Sequence, residues 1–237
     1  MGITDLLTSL APAQDEEGPN VWVTLPPGYL PLPVENPVER LSEAEPVLAE
    51  LCPPDRQELL YATLNTFAVL LTELERRNTV YCGLGWHTAE DGSIVSSTLV
   101  VSLQRTGEER NPRLVLGDLV KVAADADDQA QADLVDLPGG PALFFESVRS
   151  LRKPTLPGQD GDPGRADVYQ LEVIVPDEKG ELLAVLEFST PQVDYGTQYR
   201  EMMVLLANSV SFTPPPGSED ENASSQQIHN LLGGPGA

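Results

Sequence analysis

The side chains that most often carry chemistry are scarce in this chain. Its 237 residues include two histidines, His87 and His229, and two cysteines, Cys52 and Cys82. No serine, cysteine or carboxylate accompanies His87 in a recognisable catalytic motif, and no nucleophile-elbow or Cys-His signature is present. We therefore interpret His87 as a histidine at the rim of a hairpin and predict no catalytic residue.

Metal binding is equally weakly indicated. Zinc sites use ligands at short spacings, such as CxxC or paired histidines, and Cys52, Cys82 and His87 show neither. The acidic stretches 125–128 and 160–162 lack the glycine and closing glutamate of a calcium-binding loop. We interpret both as solvated loops, and we predict no metal and no cofactor.

Phosphate-bearing partners are disfavoured by charge and by motif. The 14 basic and 37 acidic residues give a net charge of −23, with a pI near 4.2. Nucleic acids and anionic membranes attract clustered Lys and Arg, which this balance does not supply. Gly83 and Gly85 lie in a β-rich run without the spacing of a phosphate loop. We predict no nucleic-acid partner, no nucleotide and no membrane insertion.

An enzyme built on paired carboxylates is the weakest of three functional hypotheses. Such an enzyme requires two carboxyl groups in one cleft, with the pKa of one of them strongly raised. The acidic residues that fall within predicted strands are the candidates for that arrangement: Asp136, Glu146, Glu172 and Glu187.

Two helices are predicted in the first third of the chain. Ser42 and Glu45 have the spacing of a capping box, which predicts a helix that begins there and ends before Pro53. A second helix is predicted to open at Pro54 and Asp55. Its apolar residues recur at three- and four-residue steps and indicate a buried stripe, formed by Leu60, Leu64, Phe67, Leu71 and Leu74.

The remaining elements alternate strands with helices. A strand is predicted to begin at Val21 and to break at Pro26 and Pro27. The sequence then predicts a hairpin from 80 to 105, a helix over 112–124, a second hairpin from 132 to 151, two strands from 166 to 190 and a helix over 195–208. Strands joined by tight turns favour an antiparallel sheet, which the helices must cover. The fold class predicted is therefore α+β, a largely antiparallel sheet covered by helices.

The domain organisation follows from composition. Residues 21–212 are predicted to form a single domain, preceded by a flexible N-terminal arm, 1–20, and followed by a disordered acidic tail, 213–237, rich in Pro, Gly and Ser. The first twenty residues lack the basic leader and apolar run of a signal peptide, and no window has the length of a spanning helix. We expect a cytoplasmic protein.

Three stretches resemble the Mog1/PsbP-like α/β/α sandwich family. They are the opening VWVTLPPGY, the paired strands around DEKG, and the ending LEFSTPQVDYGTQYREMMVLLANSVSF. The resemblance implies a mostly non-enzymatic scaffold. Members of the family serve as adaptors of a small GTPase, as photosystem accessory subunits, as actinobacterial lipoproteins and as chaperones of secreted effectors.

The resemblance and the missing catalytic motifs together favour a non-catalytic adaptor or chaperone that binds a protein partner, for example a secretion substrate. A partner with basic or hydrophobic segments would complement the charge of −23. The alternative is a carrier of a small molecule or lipid, with a pocket between sheet and helices. Aromatic and Met side chains supply adaptable contact area, and the candidate partner-binding residues are Trp22, Tyr29, Trp86, Met202 and Met203.

Overall fold

The computed structural model describes residues 21–89, 91–126, 131–153 and 162–214. Seven strands and four α-helices lie in these ranges. The strands are β1 (Tyr29–Leu32), β2 (Thr79–Thr88), β3 (Ile94–Arg105), β4 (Gln131–Leu137), β5 (Gly140–Arg152), β6 (Arg165–Pro176) and β7 (Leu182–Thr190). The helices are α1 (Pro37–Leu51), α2 (Gln57–Arg76), α3 (Pro112–Ala126) and α4 (Arg200–Asn208). The predicted arm and most of the predicted tail lie outside the described residues.

The seven strands form one antiparallel sheet in the order β1-β2-β3-β7-β6-β5-β4. The three hairpins predicted from the turn sequences are present as β2/β3, β4/β5 and β6/β7. The pairing of β3 with β7 joins elements about 80 residues apart, beyond the reach of any local turn signal. The predicted α+β sandwich is confirmed.

Side chains alternate between the two faces of this sheet. We call the face covered by α4 the aromatic face; its buried cluster includes Tyr29, Tyr81, Tyr169, Phe188 and Met203. On the other face α3 covers one region through Val115 and Leu116, which pack on Leu143, Phe145 and Ile174. Also on that face, Leu71 of α2 packs with Cys82 and Val100. Helices therefore cover both faces, as a sandwich requires.

The predicted start of the first helix is wrong. Helix α1 begins at Pro37, after Asn36 in a left-handed conformation (φ 49°) that makes no side-chain cap. Ser42 lies inside the helix, where its hydroxyl donates to the Val38 carbonyl at 2.8 Å. A proline suits the first helical turn, and Pro37 takes that place instead of Pro46.

The position predicted for the first strand is also wrong. Trp22 makes only an isolated bridge, pairing with Ser211 through two backbone hydrogen bonds of 2.8 and 2.9 Å. Strand β1 forms later, over Tyr29–Leu32, and contains Pro31. It is an edge strand, so a residue without an N–H group is tolerated there. Within the described ranges, no helix has the length and apolar character needed to cross a membrane.

Candidate functional site

The sheet face shared by α2 and α3 is only partly covered. Five register partners form one row across it: Cys82, Val100, Glu187, Glu172 and Phe145. Leu71 of α2 packs against the first two, and α3 packs against Phe145. The two glutamates lie in the gap between these helices. Glu172 is buried and Glu187 is half-buried, so the gap is where this face begins to open to solvent.

Beyond this row the same face carries exposed apolar side chains near one sheet edge. Leu30 of β1 is paired with Leu84 of β2, and Trp86 follows two residues later on the same face. Leu30 is 58% exposed, Trp86 56% and Ile94 71%, while Leu84 is half-buried. Large apolar side chains that stay exposed together mark interaction surfaces more often than isolated ones do.

Polar side chains continue this surface toward the middle of the sheet. Leu84 pairs with Thr98, Thr98 with Ser189, and Ser189 with Gln170. Each of the three polar side chains is half-buried. We call the whole region the open sheet face; it comprises Leu30, Leu84, Trp86, Ile94, Thr98, Gln170, Ser189, Glu187 and Glu172.

Helix α2 explains why this region stays open. Leu71 is fully buried and Leu74 packs beside it, so the C-terminal half of the helix is the half that contacts the sheet. Leu60, Leu64 and Phe67, nearer the N-terminus, are only half-buried. The predicted apolar stripe is therefore present, but Leu71 is the one member of it that is fully buried. Its remaining members are partly exposed apolar side chains of α2.

The helical segment that packs on this sheet face is acidic, although the face itself also carries half-buried Arg149. The segment from Glu35 to Arg77 contains nine acidic and four basic residues, a net charge of −5. Burial, followed by the charge of Glu187, raises the pKa of the Cys82 thiol to about 11. The Glu187 carboxylate therefore acts on the Cys82 thiol, from which it is separated by Val100 in the same row.

The aromatic face holds His87, the histidine that the sequence analysis considered as a general base. His87 packs with ring centroids 5.0 Å from Tyr29 and 5.6 Å from Tyr199. Burial lowers the pKa of His87, and its Nε2 atom has no hydrogen-bond partner. The Ser97 hydroxyl donates to Tyr29 Oη at 3.1 Å instead of to His87. The contact therefore does not form a nucleophile–base pair.

Gly83 and Gly85 make room for these rings. A Cβ at Gly85 would lie 2.5 Å from His87 Nε2 and 2.7 Å from Ser97 Oγ, and one at Gly83 would clash with Tyr81 Oη. Burial raises the pKa of Tyr81 to about 12. The two glycines therefore let side chains lie flat over β2. For Gly83 the contacting ring is Tyr81 of the same strand, whereas at Gly85 Tyr29 and Ser97 of neighbouring strands join His87, and sequence alone does not show the latter contacts.

The five candidate partner-binding residues do not form one surface. Trp22, Tyr29 and Met203 are buried, with Met203 fully enclosed under the aromatic face. Met202 is half-buried on α4, whereas Trp86 stands exposed on the opposite face of the sheet. Only Trp86 belongs to the open sheet face. Sequence reasoning missed Leu30 and Ile94, because they lie on other strands and only the pairing of β1 and β3 with β2 brings them beside Trp86.

The carboxylates proposed for acid–base chemistry are divided between the faces. Glu172 and Glu187 are register partners on adjacent strands, on the face shared by α2 and α3. Glu146 lies on the aromatic face and forms an ion pair with Arg200. Asp136 forms an ion pair with Arg113. In the described part of the chain, no three His, Cys, Asp or Glu side chains come together in a way that could hold a metal ion.

No protein-family model, curated protein or solved structure matches this chain. Its function must therefore be argued from its own surfaces.

Proposed function

We propose that this protein is a cytoplasmic, non-catalytic adaptor or chaperone-like protein, and that the open sheet face binds a helical segment of a partner protein that is both apolar and basic. A secretion substrate would be one partner of this kind. The observation that carries the proposal is the exposed apolar group of Leu30, Trp86 and Ile94, on the part of the sheet face outside the clusters that α2 and α3 bury.

The exposed apolar side chains of this surface suit the apolar side of a helix. An amphipathic helix places an apolar stripe in a groove between neighbouring elements, which is a common mode of peptide recognition. The strands would form the surface on which such a helix lies, with Leu30, Trp86 and Ile94 against its apolar stripe. Trp86 is the natural anchor, because tryptophan is enriched among residues that dominate binding energy.

The charge of the surface selects the partner. Glu187 lies half-buried in the gap, and the segment from Glu35 to Arg77 carries −5. A second copy would bring the same negative charge, and like charges placed together oppose association. Lys or Arg beside the apolar stripe of a partner helix would be attracted instead. The resemblance to Mog1/PsbP-like chaperones agrees with this proposal.

Peptide binding can be followed through Trp86 itself. The second tryptophan, Trp22, is buried, so a blue shift in emission on binding would report on Trp86. The probe is a synthetic amphipathic Leu/Lys helix, compared with a Leu/Glu helix of equal length and with a Lys peptide that has no apolar face. We expect only the Leu/Lys helix to bind well, and the Leu30→Ala/Ile94→Ala variant to bind it about tenfold more weakly.

The matched control is Leu114→Ala, which removes an exposed leucine from α3 outside this surface. It should leave binding unchanged. Equal binding of the Leu/Lys and Lys peptides would show that charge alone is responsible. Equal binding by the wild type and the Leu30→Ala/Ile94→Ala variant would show that the surface is elsewhere. Either result contradicts the proposal.

One observation favours the carrier hypothesis as a second candidate. A groove of about 680 Å³ runs between residues 24–27 and α4, with Met202 and Leu205 in its lining. An apolar groove of this size could hold a small lipid or other apolar molecule. Mass spectrometry of the protein under native and then denaturing conditions tests this, since a carrier retains a ligand that unfolding releases.

A further inference from the structure

The groove beside α4 lies on the aromatic side of the sheet, away from the open sheet face, and is a separate surface. Pro26 and Pro27 form part of one wall, while Met202 and Leu205 stand on the other. Leu205 is 64% exposed in the middle of a nine-residue helix. An apolar wall left this exposed would be stabilised by an apolar occupant.

A matching segment lies close by in the chain. Ile3, Leu6, Leu7 and Leu10 are spaced i, i+3, i+4 and i+7, which places four apolar side chains on one face of a helix. This segment lies outside the described residues. It carries one acidic residue, Asp5, and no basic residue. It therefore does not have the chemistry expected of a partner for the open sheet face.

The point of attachment brings this segment to the groove. Trp22 N donates to the Ser211 carbonyl at 2.8 Å, and Thr24 N donates to Ser209 Oγ at 3.0 Å, so the chain is held against the C-terminal end of α4. Residues 11–20 can span at most about 33 Å. Helix α4 is about 14 Å long. The whole groove is therefore within reach.

We propose that residues 3–10 form a short amphipathic helix that docks in the groove beside α4 of the same chain, with its leucines against Leu205 and Met202. The two sides are joined by a short tether, so the effective concentration is in the millimolar range and weak contacts suffice. The docked segment covers the exposed apolar wall and competes with any apolar ligand. This proposal is independent of the function proposed for the open sheet face.

A cysteine at the rim of the groove reports on docking. Gln198 is exposed and lines the groove, so Gln198→Cys in a Cys52→Ser background gives a labelling site that leaves Leu205 intact. Cys82 is buried and remains as in the wild type. The rate of alkylation is compared between this parent and a Leu6→Asp/Leu7→Asp variant. We expect the variant to label about tenfold faster.

The matched control is Thr8→Asp/Ser9→Asp, which adds the same charge to the polar side of the segment and should leave the rate unchanged. A second reporter, Leu114→Cys on α3, should label equally in all variants. Equal rates at Gln198→Cys in the parent and the Leu6→Asp/Leu7→Asp variant would overturn the proposal. So would protection that disappears on dilution, which identifies the segment of a second copy as the occupant, or a change of equal size at Leu114→Cys.

Discussion

At the scale of single residues, the side chains of β2 separate a packed face from the face that we propose as the binding surface. Tyr81, Gly83, Gly85 and His87 lie on the aromatic face. Trp86 points from the same strand to the open sheet face. Gly83, Gly85 and His87, which the sequence analysis weighed for phosphate binding or catalysis, therefore serve packing. Trp86, which lies between Gly85 and His87, is exposed and belongs to the proposed binding surface.

The space above Gly85 predicts the effect of adding one methyl group. The new Cβ would lie 2.5 Å from His87 Nε2, 2.7 Å from Ser97 Oγ and 2.8 Å from the Tyr29 ring, so at least one ring must move. We expect Gly85→Ala to lower the free energy of unfolding by about 1–3 kcal/mol, measured by urea denaturation.

Gly117→Ala is the control for that substitution. Gly117 lies in α3, where a Cβ meets nothing within 4 Å. Alanine there should raise the free energy of unfolding by about 0.5–1 kcal/mol, because glycine is costly in a helix. If Gly85→Ala unfolds at the same urea concentration as the wild type, the inference that side chains pack tightly over Gly85 is contradicted.

His87 predicts how stability depends on pH. Burial lowers its folded pKa below the ordinary 6.5, so the unfolded chain binds the proton more readily. Stability is therefore fully present above pH 6.5 and is lost as the pH falls through the folded pKa. In His87→Phe, which keeps a ring against Tyr29, we expect a flatter profile between about pH 7.5 and 5.5. Thermal unfolding across this range provides the test, and parallel profiles would contradict it.

Sequence predicts the secondary structure around a residue better than it predicts the contacts or burial of its side chain. The prediction that Gly83 and Gly85 lie within a strand is correct, since strand composition is a local signal. The contacts of Gly85 are only partly local, because Tyr29 and Ser97 come from neighbouring strands while His87 lies on the same strand. The candidate residues were chosen by type, and type alone does not distinguish buried Met203 from exposed Trp86.

At the scale of elements, a sustained apolar periodicity correctly predicts that an element forms. The predicted ends are less accurate where two local sequence signals compete. The α2 stripe gave a correct helix because apolar steps of three and four persist over twenty residues. The start of α1 was misplaced because both Pro37 and Pro46 suit a first turn, and Asn36 ends the preceding segment through a left-handed conformation. The extent to which α2 is covered depends on the distant sheet, so its half-buried residues could not be predicted.

The uneven packing of α2 predicts contrasting effects of two adjacent leucines. Leu71 is fully buried against Cys82 and Val100, whereas Leu70 is 51% exposed. We expect Leu71→Ala to cost about 2–5 kcal/mol of unfolding free energy, and Leu70→Ala to change it by no more than about 0.5 kcal/mol. Equal losses in urea denaturation would mean that α2 is packed on both sides.

At the scale of the whole molecule, strand pairing creates the open sheet face. Leu30 and Ile94 are 64 residues apart in sequence, and each pairs with β2, which places them on either side of Trp86. The fold class could be predicted because each hairpin has its own turn signal. The open sheet face could not, because it depends on which part of the sheet the helices leave bare.

The net charge of −23 predicts opposite salt effects on folding and on binding. Like charges repel within the compact state, so screening them should raise the melting temperature as NaCl increases from about 10 mM to 0.5 M. Binding of the basic Leu/Lys helix depends on attraction and should weaken over the same range. As the pH is lowered toward the pI near 4.2, the effect on melting should shrink with the charge. If binding of the Leu/Lys helix is unaffected by salt while melting responds, the acidic residues around the open sheet face do not select its partner.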